Sequence, residues 1–106
     1  MRVELTGPAG RLEGILDAPR PAEGETFTPK AAVVFAHPLP TEGGTMHTKA
    51  VFQGTKGLVR IGCAVLRFNF RGVGKSEGAF DHGKGERGDF TAALDFMAAR
   101  YPGVPL

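Results

Sequence analysis

An α/β protein with parallel strands at its centre is predicted by three observations. Two short, continuously apolar runs, Ala31 to Ala36 (AAVVFA) and Cys63 to Phe70 (CAVLRFNF), have the Val, Leu and Phe content of strands buried on both faces of a sheet. The segment between them regains helical spacing from Thr48 to Ile61, so strand, helix and strand follow one another as a βαβ unit with an expected right-handed crossover. Each apolar run also ends in a stretch broken by Gly or Pro, and in open α/β sheets ligands bind outside that carboxyl edge.

The N-terminus supports this with a hairpin. Arg2 to Thr6 alternates, with Val3 and Leu5 on one face, and Gly7-Pro8-Ala9-Gly10 supplies turn chemistry before Leu12 to Leu16. Pro19 to Lys30 is polar and broken by Gly and Pro, the composition of an exposed connection. In the first helix Val51, Thr55, Leu58 and Gly62 share a face flanked by Phe52 and Val59. Arg60 suits its last turn and Gly62 its stop. Gly54 and Gly57 each weaken this helix by ~1 kcal/mol relative to Ala, so tertiary packing must hold it. A second helix is predicted from Glu86 to Tyr101, with Phe90, Leu94, Met97 and Tyr101 along one face, stopped by Pro102-Gly103. Val104-Pro105-Leu106 then resembles the approach to another strand.

Composition narrows the function classes. One domain fits within 106 residues, and the 42% hydrophobic content allows a core. The +2 net charge is scattered over the chain, which is no nucleic-acid footprint. No apolar stretch of ~18 residues would span a membrane and no basic-then-apolar leader opens the chain, so a cytoplasmic protein is expected. Cys63 lies inside an apolar run and reads as a small buried hydrophobe. His37, His47 and His82 have no ligand spacing, so neither a metal nor a cofactor is expected, and loop packing or exposure is their predicted fate.

Three places could carry chemistry. Gly74-Lys75-Ser76-Glu77-Gly78 spells G-x-S-x-G, yet a nucleophile elbow needs its serine directly between strand and helix, and here AFDHGKG intervenes. Gly74-Lys75-Ser76 also spells the end of a phosphate-binding loop, although Asn69 stands where the first glycine belongs and no helix follows at once. A structural turn is the expected reading of both. Glu86 and Asp89 fall in the first turns of the second helix, where a carboxylate offsets the positive end of the helix dipole. A helix-start or turn-anchoring role is expected of them, with a catalytic role as the alternative. The third place is His37-Pro38-Leu39-Pro40. Its Leu39 amide lies between two prolines of fixed φ at the end of a buried strand, which suits a preorganised oxyanion donor. Prolines that simply redirect the chain over the sheet edge fit the spacing equally well.

AAVVFAHPLPTEGGTMHTKAV, followed by CAVLRFNFRGVGKSEGAFDHGKGERGDFTAALDFM, resembles the N-terminal half of small bacterial α/β-hydrolase-fold proteins, a hydrolase and esterase group. The resemblance covers about residues 31 to 101 and implies a single but incomplete α/β-hydrolase domain over 1–106. It implies that Leu39 N–H is an oxyanion-hole donor, that the RGVGKSEG turn after the fourth strand is not the elbow, and that the nucleophile, acid and histidine lie beyond Leu106. The expected function is that of a serine-type hydrolase of small carboxylic esters, with the 106-residue chain inactive by itself. The alternatives are a non-catalytic α/β fragment or interaction module, and, with less support, a nucleotide-binding domain using Gly74-Lys75-Ser76. In the strand order the resemblance implies, Ala31 to Ala36 lies between the fourth and fifth strands. Without a fifth it is an apolar edge expected to recruit a second copy or a complementary chain.

Overall fold

The computed structural model describes residues 1–21, 23–37 and 43–106. Its elements follow the predicted order: β1 (Arg2–Gly7), β2 (Gly10–Asp17), β3 (Ala32–Phe35), α1 (Lys49–Arg60), β4 (Ala64–Phe68) and α2 (Lys84–Arg100). β1 and β2 form an antiparallel hairpin closed at Gly7↔Gly10, and β3 lies parallel to β4 with α1 between them in sequence. The sheet order is β1-β2-β4-β3. β2 runs antiparallel to β4, with Gly14 opposite Phe68 and Asp17 opposite Val65, and so welds the hairpin to the parallel pair.

β4 is buried at every residue, as its apolar run requires. Strand alternation sends Ala64, Leu66 and Phe68 to the face that carries α2, where they pack with Leu5, Leu12, Leu16, Ala32, Ala93 and Met97. Val65 and Arg67 take the opposite face, beneath α1. That helix is capped by Thr48 and Ile61, the ends of the predicted segment, and buries Val51 and Thr55 against the sheet. Gly54 has a packing reason for its place: a Cβ there would lie 2.5 Å from the Phe35 ring. Gly57 has none, because a Cβ would meet nothing within 4 Å. Cys63 is buried and free.

Both parallel strands release their chains at the same edge, β3 into the segment from residue 36 to Thr48 and β4 into the turn from Asn69 to Gly83. β3 is the last strand in the sheet order. On its outer side the Ala32 amide donates to Pro105 O at 2.7 Å, although residues 104–106 form no strand.

Candidate functional site

The site at the carboxyl edge is built from the last residues of β4. After Phe68 the chain turns through Asn69 to Gly78, and the turn is held by its own bonds, Val73 N–H to Phe70 O and Ser76 N–H to Val73 O, both 3.0 Å. It is also seated on β2: Glu77 N–H donates to Arg11 O at 2.7 Å, and Arg11 N–H returns a bond to Glu77 Oε1 at 2.7 Å. Gly74 has φ +54, and a Cβ there would collide with Glu13 Oε1 and Asn69 Nδ2, so the residue must be glycine for both reasons.

That turn disposes of two of the sequence readings. Ser76 is 7% exposed, and its hydroxyl donates to Asn69 O at 2.7 Å while accepting the Glu13 N–H at 3.0 Å. Its proton and a lone pair are therefore committed to the main chain, and it joins strand to strand. A phosphate loop would need free amides. Here the Lys75 amide is given at 2.8 Å to Glu13 Oε1, an anion of the protein itself. The carboxyl of Glu13 is pushed up by its burial, but the Lys75 amide, the Asn69 amide, Arg2 and the Lys75 charge outweigh this and hold it below the ordinary value.

Asp89 and Glu86 serve as anchors, the role expected of them. Asp89 is wholly buried and its oxygens take the Arg71 main-chain amide at 3.0 Å, Arg71 Nε at 3.1 Å and Nη2 at 2.9 Å. This fork raises the pKa of the Arg71 guanidinium. Arg71 Nη2 also caps Gly85 O at 2.7 Å, which fixes the start of α2 to the β4 turn. Glu86 accepts the amides of Asp81 at 2.9 Å and Gly83 at 3.2 Å, supplying acceptors for donors ahead of the first helical turn. The buried stripe of α2 runs Glu86, Asp89, Ala93 and Met97; of the expected apolar face Met97 is in the core, Phe90 and Tyr101 pack partly buried against it, and Leu94 is partly buried.

The segment between β3 and α1 is bracketed by two anchors on the end of β4 and the turn that follows it. At its start the buried His37 accepts the Phe70 amide through Nε2 at 3.1 Å, and its ring meets that of Phe70 edge-on at 4.9 Å. At its end the wholly buried Met46 donates its amide to Asn69 Oδ1 at 2.8 Å and takes Arg67 Nη1 on its carbonyl at 3.1 Å. Leu39, the predicted oxyanion donor, with Pro38 and Pro40, lies outside the described residues. His47 and His82 are exposed on separate loops, and among the described residues no three His, Cys, Asp or Glu side chains gather as metal ligands. An open cleft of about 470 Å³ beside α1, lined by Asp17, Phe52, Thr55 and Arg67 among others, has no serine, cysteine or histidine among the described residues of its wall. Sequence reasoning missed Glu13, Asn69 and Arg67, because their partners are distant in the chain.

No protein-family model matches the chain. Among the solved structures that superpose on nearly all of it are two at 40% and 35% identity. An α/β serine hydrolase without a lid from Xanthomonas campestris shares 40% identity over 96% of this chain, with a TM-score of 0.86. An α/β serine hydrolase homologue from Coxiella burnetii shares 35% over 98%, with a TM-score of 0.87. The chain folds as the N-terminal half of an α/β-hydrolase. It spans 45% and 48% of those two hydrolases, and 40% of an uncharacterised Rickettsia prowazekii protein to which it is 43% identical over 101 residues. The chain is thus of hydrolase lineage, and the RGVGKSEG turn is a structural corner of that fold. No described helix is long and apolar enough to cross a membrane.

Proposed function

We propose that the chain is the front half of a serine-type hydrolase of small carboxylic esters. The Leu39 amide helps hold the oxyanion, and the nucleophile, acid and histidine come from polypeptide outside residues 1–106. In this scheme an external serine attacks the ester carbonyl, a histidine takes its proton and returns it to the leaving alcohol, and water repeats the sequence on the acyl-enzyme. The observation that carries the reading is the bracketing of the segment after β3. A donor can stabilise developing charge only if it is held before the reaction begins, and His37 and Met46 are both fastened to β4 at the carboxyl edge of the sheet. The commitment of Ser76 to Asn69 O and Glu13 N supports placing the nucleophile elsewhere. The chain by itself is inactive on this reading.

The codons after Leu106 test it. The reading expects a strand followed directly by G-x-S-x-G and a helix, with that serine acylated by an activated short-chain ester. A reading frame that closes without such a sequence, in a protein that also finds no complementary chain, would favour a non-catalytic scaffold instead.

A further inference from the structure

Asn69 joins two hydrogen-bonded systems, one at Met46 and one at Glu13. Its Oδ1 accepts the Met46 amide at 2.8 Å, its Nδ2 donates to Glu13 Oε1 at 2.6 Å, its amide donates to Glu13 O at 3.0 Å and its carbonyl takes the Ser76 hydroxyl at 2.7 Å. The residue is 2% exposed and every one of its polar groups is used. Because a carboxamide is planar, fixing Nδ2 on Glu13 fixes where Oδ1 points, and hence where the Met46 amide must sit. Glu13 is in turn held by the Lys75 amide at 2.8 Å and lies on β2, in the rigid middle of the sheet.

We propose that Asn69, oriented by Glu13, is a positioning residue for the oxyanion-binding segment, fixing its Met46 end. This rests on the ester-hydrolase reading. The link runs from β2 through Glu13 and Asn69 to Met46, while His37 on Phe70 fixes the other end. Neither Asn69 nor Glu13 touches substrate; they act through the main chain. Glu13 is needed as an acceptor more than as a charge, because Asn69 and Lys75 both donate to its single oxygen Oε1.

Two measurements test this. In the 106-residue chain, hydrogen exchange of the Met46 amide should quicken by about 10-fold or more in Asn69→Ala, as expected for one lost buried hydrogen bond, with the Leu66 amide of β4 unaffected. Glu13→Ala should reproduce the effect and Glu13→Gln, which keeps an oxygen acceptor, should largely restore protection. In the protein assembled with its nucleophile-bearing portion, Asn69→Ala should lower kcat about 10- to 100-fold on an activated short-chain ester and leave KM within about twofold, because a misplaced donor weakens the transition state and not ground-state binding. Met46 protection that survives Asn69→Ala overturns the clamp. Lost protection with unchanged kcat overturns its role in positioning, and leaves the ester-hydrolase reading to its own test, acylation of the serine beyond Leu106. A Glu13→Gln variant as impaired as Glu13→Ala also overturns it, since then the charge and not the acceptor geometry is what matters.

Discussion

Arg71 and Asp89 form a heavily committed pair, three donors on one wholly buried carboxylate. Asp89→Ala leaves the Arg71 amide and the guanidinium without the buried carboxylate that pairs with them, and should destabilise the fold by about 3–5 kcal/mol, read from urea unfolding. Ser76→Ala should cost less, about 1–3 kcal/mol, because it orphans the Asn69 carbonyl and the Glu13 amide but no charge. Glu13 gives a pH signature. Its carboxyl lies below the ordinary value of 4.5 in the folded chain, so its contribution is present above the unfolded value and is lost as pH falls through the lower, folded one. Unfolding followed between pH 5 and acid should therefore steepen through that range, and Glu13→Gln should flatten it. The roles of Glu86 and Asp89 were legible in the sequence, since carboxylates in the first turns of a helix answer a local need. Those of Glu13 and Asn69 were not, because the two lie 56 residues apart and meet only through the β2–β4 pairing, for which the chain carries no local signal.

Each element followed from spacing and stop residues. α1 ends where Gly62 (φ +100) allows the chain to leave, and β3 and β4 lie inside their apolar runs, shortened where Asn69 and His37 turn to side-chain bonding. The apolar residues Phe90, Met97 and Tyr101 of α2 do pack on the core, but its buried stripe also takes in Asp89, whose carboxylate pairs with Arg71, a charge that periodicity alone does not place there. The two glycines of α1 are now distinguishable. Gly57→Ala should stabilise the chain by about 0.5–1 kcal/mol, since nothing opposes a methyl and the helix gains propensity. Gly54→Ala should destabilise it, because the added carbon strikes the Phe35 ring. Thermal unfolding of the two variants side by side would separate them in sign.

At the scale of the whole molecule, β3 is the last strand of the sheet, and among the described residues only Pro105 O meets its outer edge, at Ala32. Backbone amides alternate between neighbours along a strand, so Val34 faces the same outer side as Ala32. We expect this edge to pair with a second copy or a complementary chain. Sedimentation at micromolar concentration should show association of the 106-residue chain, and a strand-breaking Val34→Pro variant should reduce it. The strand order could be anticipated from resemblance but not from the residues, which mark where strands lie and not which are neighbours.

The central claim is that this half of the hydrolase fold supports the reaction without supplying its nucleophile. It is tested most directly by treating the 106-residue chain with a fluorophosphonate and locating any adduct by mass spectrometry. The account predicts an unmodified Ser76, its hydroxyl held between Asn69 O and Glu13 N. A stoichiometric phosphonyl adduct on Ser76 would contradict it.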